Sequence, residues 1–235
     1  MEPQLSETLT SLIVATVLFV GGHFLLSSGA VRPRLVEALG PNGFLAAYSV
    51  FAAATFVWMN LAFARAPMVR LWVAGDWSWH LAPAVMPLAA ILLACGYLTA
   101  NPAAVGGERV LKRPDPAPGI FKVTRHPIMW AVALWAGVHT LATGDAAGVI
   151  FFGGLGLLAV GGMIHLEMRR AASGDENWRR LVAVSSFVPF AAALQGRARI
   201  SLSEIGWGRI AVGIAVYLVL LFGHEAVIGI SVVPL

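Results

Sequence analysis

The chain has 235 residues, of which 58% are hydrophobic and only 12% are charged, and its formal net charge at pH 7 is +4. Soluble domains carry roughly a quarter charged residues, so this composition excludes an ordinary soluble domain and predicts an integral membrane protein. Basic residues on the inner face of a membrane account for the positive charge. We therefore expect membrane lipid, and no nucleic acid, as the partner of these residues.

Six apolar stretches approach the roughly 20 residues that a helix needs to cross a bilayer. They span residues 9–26, 43–64, 81–100, 127–142, 146–166 and 207–230, and the fourth is short. A seventh stretch, at 181–194, is interrupted by Pro189 and is predicted to be interfacial or buried rather than spanning. We therefore predict an all-α polytopic membrane helix bundle with about six transmembrane helices, in which residues 1–235 form a single domain.

The basic residues give an independent prediction of the topology, because cytoplasmic loops carry the excess of lysine and arginine. The first, third and fifth connections between the apolar stretches, with the residues beside them, hold 14 of the 16 basic residues. The amino-terminal tail, the fourth connection and the carboxyl tail hold none. Both termini are therefore predicted to lie on the non-cytoplasmic side.

Histidines have the strongest ligand chemistry in this chain, since the single Cys95 excludes an intramolecular disulfide and every multi-cysteine metal site. Three of the six lie deep within apolar stretches, where a polar group needs a partner. These three are His23, His139 and His224. His126 directly precedes Pro127, where a helix would begin, and it either caps that helix or takes part in a site.

Any pair of histidine ligands must combine different helices. His126 and His139 are thirteen residues apart, so on one straight helix they project about 140° apart and cannot bind one ion from the same face. A neutral imidazole from each of two facing helices is the arrangement that holds a haem iron, whereas zinc would be expected with carboxylate or thiolate ligands as well. Hydrogen bonding between helices is the alternative role for these histidines.

Short motifs along nearly the whole chain match those of a known family in order and spacing. They are Gly22-His23-Phe24, Arg32-Pro33-Arg34-Leu35, Tyr48-Ser49, Ala66-Pro67, Leu71-Trp72, His126-Pro127, Leu134-Trp135-Ala136 with His139 and Gly144-Asp145, Phe187-Val188-Pro189-Phe190, and His224 with Gly229-Ile230-Ser231. With these motifs the chain resembles the NnrU family of bacterial integral membrane proteins, which is related to the plant cis-zeta-carotene isomerase. The resemblance implies one NnrU-like transmembrane domain in a bacterial inner membrane.

The isomerase relatives are associated with haem b held by two histidines, and by position in the motifs those ligands fall on His23 and His139. On estimated depth alone, His139 with His224 is the rival pair, and His126 is a further candidate for contact with the cofactor. The resemblance implies either redox-dependent cis–trans isomerisation of an apolar poly-cis carotenoid, or a redox or maturation role in denitrification with a respiratory partner. In both cases the protein contributes binding and orientation, while the cofactor supplies the chemistry.

A second resemblance is to the membrane methyltransferases of the isoprenylcysteine type. It rests on Arg125-His126-Pro127-x-x-Trp130, Glu167, Gly174-Asp175-Glu176-x-Trp178 and Phe187-Val188-Pro189. This resemblance implies that His126 and nearby charged residues hold S-adenosylmethionine at the inner face, and it gives no role to the three deep histidines. A non-catalytic assembly or haem-handling partner of a respiratory enzyme is the third hypothesis.

Overall fold

The computed structural model describes residues 2–104 and 106–232, with side chains from residue 9 onward except that of Trp79. The regular structure of these residues is helical, and their extended pairing is limited to a bridge between Arg70 and Asp145. A 3-10 turn covers Gly119–Lys122. The ten α-helices of the described residues are α1 Glu2–Ser27, α2 Arg32–Ala64, α3 Trp77–Leu98, α4 Glu108–Leu111, α5 Pro127–Thr143, α6 Ala146–Ala172, α7 Glu176–Ala183, α8 Ala191–Leu194, α9 Leu202–Ile205 and α10 Trp207–Ile228.

Five of these helices are long and apolar enough to cross a membrane: α1, α2, α3, α6 and α10. The fourth predicted stretch forms α5, an apolar helix of 17 residues. At 1.5 Å per residue it is about 26 Å long, slightly less than the hydrocarbon thickness. The seventh stretch forms the short helices α7 and α8 on either side of Pro189, as predicted for a segment that does not span. The prediction of an all-α, multi-pass membrane protein is confirmed.

Helix α2 begins well before the predicted boundary at residue 43. Its first part, from Arg32, was expected to be a connection, but Pro33 stands in the first turn, where proline is favoured. Gly40 then adopts a left-handed conformation, with φ 71°, and Pro41 follows it, so the helix is kinked there. The predicted boundary therefore marks the apolar part of α2 beyond the kink.

The described chain forms two compact units. Unit 1 contains the chain up to Gly75 together with His139–Gly162. Unit 2 contains Asp76–Val138 together with the chain from Met163 onward.

Small residues allow close helix packing in unit 1. The side chain of Thr16, on α1, fills the space beside Gly154 of α6, and the ring of Phe24 fills the space beside Gly161. Such contacts of small residues are the usual means by which helices associate in a membrane, because burying apolar surface there adds little. Helix α1 therefore lies against α6 over at least two turns.

The connection after α2 is fastened to the turn between α5 and α6, also within unit 1. The backbone N–H groups of Leu71 and Trp72 both donate to the carbonyl of Gly144, at 2.8 and 3.1 Å. The indole of Trp72 donates to the carbonyl of Leu141 at 3.0 Å. Gly144 has φ +63°, and a Cβ there would collide with the backbone of Trp72. Two of the sequence motifs thus meet in this turn.

In unit 2 the two non-spanning segments, 99–126 and 173–206, pack on one another around a small apolar core. We call these two segments the basic cap. Its core includes Phe121, Trp178, Leu181 and Ile205, all at most 5% exposed. The Nζ of Lys122 lies 2.7 Å from a carboxylate oxygen of Asp115 and 2.7 Å from one of Glu204, and so ties the two segments together.

The packing of α10 on α3 depends on Gly213, because a Cβ there would lie 2.7 Å from the Cα of Ile91. Gly213→Ala is expected to destabilise the protein by about 1–3 kcal/mol, since backbone cannot yield as a flexible side chain does. Gly208→Ala on the same helix is the matched control, because it meets no atom within 4 Å, and it should leave stability equal or slightly raised. Thermal melting in detergent micelles measures both, and equal melting temperatures would contradict the prediction.

The ion pairs of Lys122 give a pH-dependent prediction. Burial acts to lower the pKa of Lys122, but the hydrogen bonds and charges of Asp115 and Glu204 outweigh it and raise the pKa above its ordinary value of 10.5. A raised folded-state pKa means that the stabilisation is complete below the unfolded value and is lost as the pH rises through the folded one. Lys122→Met should therefore cost about 1 kcal/mol at pH 7.

The melting temperatures of wild type and Lys122→Met, measured against pH, check this sign. Their difference should stay constant from neutral pH to about pH 9 and should shrink only above about pH 10.4. A difference that has already vanished at about pH 9 would show that the ion pairs do not stabilise the cap.

Candidate functional site

A cluster of three charged or ionisable side chains lies where α5 begins and α6 approaches its end. The Nε and Nη2 atoms of Arg125 donate to the two carboxylate oxygens of Glu167, at 2.9 and 3.0 Å. The Nε2 of His126 lies 2.7 Å from Oε1 of the same carboxylate. Two parallel bonds from one guanidinium to one carboxylate form a strong and geometrically specific pair. We call these three residues the charge cluster.

The local fold holds the charge cluster against the segment that follows α7. The backbone N–H of Arg125 donates to the carbonyl of Ser186 at 2.9 Å, and its Nη1 donates to the carbonyl of Ser185 at 3.1 Å. The carbonyl of Phe187 accepts from the hydroxyl of Thr124 at 2.8 Å and from the indole of Trp130 at 2.9 Å. The Arg-His-Pro motif and the Phe-Val-Pro motif of the sequence therefore form one structural joint.

The charge cluster is internally balanced. Arg125 and His126 are only 6% and 4% exposed, so a charge on either needs a partner at hand. The charge of the Arg125 guanidinium is neutralised by the carboxylate of Glu167. Because a carboxylate only accepts hydrogen bonds, the hydrogen bond from His126 to Glu167 requires a proton on Nε2. His126 was expected either to cap α5 or to join a site. Its side chain pairs with Glu167.

An open cleft of about 470 Å³ lies beside this joint in unit 2. One end of the cleft is polar and contains Arg125, Gln195 and Arg197, while apolar side chains such as Phe187 and Val188 line the rest. It is described further below.

His23 is held in a defined orientation within unit 1. Its Nδ1 lies 2.6 Å from the carbonyl of Phe19, one turn earlier in α1, and can only be the donor in that bond. The imidazole ring also packs edge-on against the rings of Phe19 and Tyr48, with centroids 4.5 and 5.4 Å away. A neutral histidine that donates through Nδ1 presents a lone pair on Nε2, which is the usual state of a metal-ligating histidine.

His139 also belongs to unit 1, and its ring is half-buried. The ring centroid lies 5.0 Å from that of Phe152 on α6. Phe24, the residue after His23, packs instead beside Gly161 of the same helix. Positions 152 and 161 are about 13 Å apart along α6. The two histidines therefore share a unit but lie at different levels of it.

The other two predicted histidines, His126 and His224, belong to unit 2. The Nδ1 of His224 lies 2.8 Å from the carbonyl of Ile230, just after α10. Among the described residues, no three or more histidine, cysteine, aspartate or glutamate side chains are grouped so as to hold a metal ion. Cys95 is buried in α3 with other apolar side chains. The four predicted histidines therefore fall into two pairs, with His23 and His139 in unit 1 and His126 and His224 in unit 2.

Arg125 and Glu167 were part of the methyltransferase resemblance, but they were not predicted to pair with each other. The signal was present, since Glu167 is the only acidic residue in α6 and a lone carboxylate at the end of an apolar helix needs a cationic partner. The partner could not be assigned, because 41 residues separate His126 from Glu167 and the sequence offers many arginines.

The charge cluster is predicted to be a major determinant of stability. Glu167→Gln keeps the shape of the side chain but removes the negative charge that neutralises Arg125, which should destabilise the protein by about 3 kcal/mol. Glu176→Gln is the matched control, because the Glu176 and Arg179 side chains of its ion pair are 73% and 67% exposed, and it should change little. Thermal melting of both variants in the same detergent makes the comparison. Equal melting temperatures would mean that the cluster does not join α5 to α6.

Comparison with known proteins assigns the family. A search of functionally curated proteins and a search of solved structures each gave no significant match. The comparison with protein families matched residues 11–232, nearly the whole chain, to the family described as NnrU protein. The chain therefore belongs to the NnrU family.

Proposed function

We propose that this NnrU-family membrane protein binds haem b in unit 1, with His23 and His139 as the axial ligands. The observation that carries the proposal is the hydrogen bond of 2.6 Å between Nδ1 of His23 and the carbonyl of Phe19. That bond fixes the tautomer and turns the lone pair of Nε2 away from the helix backbone. A hydrogen bond from the second nitrogen to a carbonyl is the usual support of a metal-binding histidine.

The two histidines stand at different levels of unit 1, because the α6 positions beside Phe24 and His139 are about 13 Å apart along that helix. The test therefore replaces each histidine alone, and it includes His224, which forms the rival pair with His139.

The surroundings of the two histidines match a flat apolar group. Aromatic rings of α2 stand along this part of unit 1: Tyr48 contacts His23, and Phe63 stacks on Phe151, with ring centroids 4.4 Å apart. Such side chains exclude water from bound iron and present apolar faces to a macrocycle. These residues would orient the cofactor and a long apolar substrate that enters from the lipid.

The activity we propose for the haem-bound protein is cis–trans isomerisation of a long conjugated polyene. When bound, haem would supply the redox chemistry that lowers the barrier to rotation about a double bond, while His23 and His139 would hold the cofactor. The resemblance to the plant isomerase supports this activity. If haem is bound without turnover, the function is instead that of a redox or maturation partner of a respiratory enzyme in a bacterial inner membrane.

A second candidate function, S-adenosylmethionine-dependent methyl transfer, is favoured by one observation. The motif residues that resemble the isoprenylcysteine-type methyltransferases come together, since His126 contacts Glu167 and Trp130 bonds to Phe187. We rank it second because Arg125 and Glu167 use their polar atoms on each other. It also leaves the orientation of His23 unexplained.

The visible spectrum of the purified protein, supplied with haem in detergent, tests the first proposal. We expect a six-coordinate low-spin Soret band that is lost in His23→Ala and in His139→Ala, because each removes one axial ligand. His80→Ala is the matched control and should keep the band, since His80 is exposed at the start of α3. Folding of every variant is checked by its melting temperature.

Other outcomes assign the function differently. A band that survives His23→Ala but is lost in His139→Ala and in His224→Ala would overturn the proposed pair in favour of the rival, His139 with His224. A colourless, folded protein that binds labelled S-adenosylmethionine would favour the second candidate. With haem bound, incubation with a poly-cis carotene under reducing conditions changes the isomer profile only if the protein is an isomerase.

A further inference from the structure

We propose that the cleft in unit 2 binds the head group of an anionic phospholipid from the surrounding membrane. Nothing in the haem proposal uses this cleft, and the two proposals share no residue. The cleft combines a positively charged polar end with apolar side chains, and it lies in the basic cap.

The polar end of the cleft carries a positive charge that the described residues do not neutralise. Of its two arginines, Arg125 is matched by Glu167. Arg197 has no carboxylate partner: its Nε and Nη2 donate to the amide oxygen of Gln195, at 2.9 and 2.7 Å, and its Nη1 donates to backbone carbonyls at the end of α7. An uncompensated positive charge in a cleft attracts an anionic group.

Apart from Ser186, the rest of the lining is apolar, and it continues onto an exposed apolar surface. Phe187, Val188 and Ala191 line the cleft. Val188 is 55% exposed, and Leu194, at the end of α8, is 87% exposed. A free phosphate ion would gain nothing from these side chains, whereas the acyl chains of a lipid would cover them.

Backbone hydrogen bonds hold the turn at Phe190, which lies between the lining residues Val188 and Ala191, in a fixed conformation. Phe190 has a left-handed conformation, with φ 67°, which a residue other than glycine adopts only where its surroundings impose it. Its N–H donates to the carbonyl of Val123 at 2.8 Å, and its carbonyl accepts from the N–H of Leu194. The chain therefore turns sharply after Pro189 and forms a fixed wall rather than a loose loop.

The position of the cleft favours a lipid of the inner leaflet. The basic cap, with the residues of α6 and α10 that adjoin it (167–172 and 207–209), contains 12 of the 16 basic residues and 6 of the 12 acidic residues of the chain. An excess of positive charge marks the cytoplasmic face of a membrane protein, where anionic lipids are attracted to it. Charge and apolar surface thus point to the same class of ligand.

The test uses the full-length protein in neutral detergent, with dioctanoyl phosphatidylglycerol as the probe and its affinity as the readout. Gln195→Glu keeps the oxygen that accepts from Arg197 but cancels its charge, so the protein should stay folded and bind the probe about fivefold more weakly. Arg199→Gln changes the net charge by the same amount outside the cleft and should alter the affinity less than twofold.

Three further ligands distinguish the sources of the anionic group. Dioctanoyl phosphatidylcholine, which has no net charge, and inorganic phosphate should each bind much more weakly than phosphatidylglycerol. Equal binding of either one, or an unchanged affinity in Gln195→Glu, would overturn the proposal. Displacement of the probe by S-adenosylmethionine would overturn it as well and would assign the cleft to methyl transfer. None of these results changes the Soret band. The lipid proposal and the haem proposal are therefore tested independently of each other.

Discussion

The hydrocarbon core of a membrane contains no water that could hydrogen-bond to a polar side chain. The histidines and charged residues of the chain must therefore find their hydrogen-bond partners within the protein or in a ligand. His23 and His224 each donate to a backbone carbonyl, and Glu167 is bonded by both a guanidinium and an imidazole. Among the described side chains, the buried polar atoms without a partner are the hydroxyls of Thr16 and Thr99 and the Nε of Arg170. The bonds already made therefore define which polar atoms are left for a ligand.

The charge cluster and the pair His23 and His139 differ in how their polar atoms are used. The charge cluster of α5 and α6 uses its donors and acceptors within itself and with the Ser185 carbonyl, and it joins two segments of unit 2. His23 uses Nδ1 for a hydrogen bond within its own helix, and the proposed haem would be held through Nε2. We therefore assign a structural role to Arg125 and Glu167, and we propose a binding role for His23 and His139.

The sequence alone predicted the membrane class, the helical architecture and the family, because each depends on features that extend along the whole chain. It placed the start of α2 too late, since apolarity marks where a helix enters hydrocarbon and not where it begins, and the kink at Gly40 separates the two. It did not pair Arg125 with Glu167. Spacing fixes neighbours on one helix, whereas contacts between helices depend on how they pack.

The relation between His23 and His139 shows both the strength and the limit of sequence reasoning. Motif positions selected the pair, whereas estimated depth alone favoured His139 with His224. What the sequence could not supply was the direction of each ring. For His23 that direction follows from a local bond to Phe19, which many histidines in helices do not make.

The most direct test of the central claim is a count of the histidine nitrogens bound to ferric iron. Electron paramagnetic resonance of the haem-loaded protein, with its histidines labelled with nitrogen-15, gives this count. The account predicts two imidazole nitrogens on one low-spin iron. A single imidazole, or a high-spin iron without histidine, would contradict the claim that two helices of unit 1 hold one haem between them.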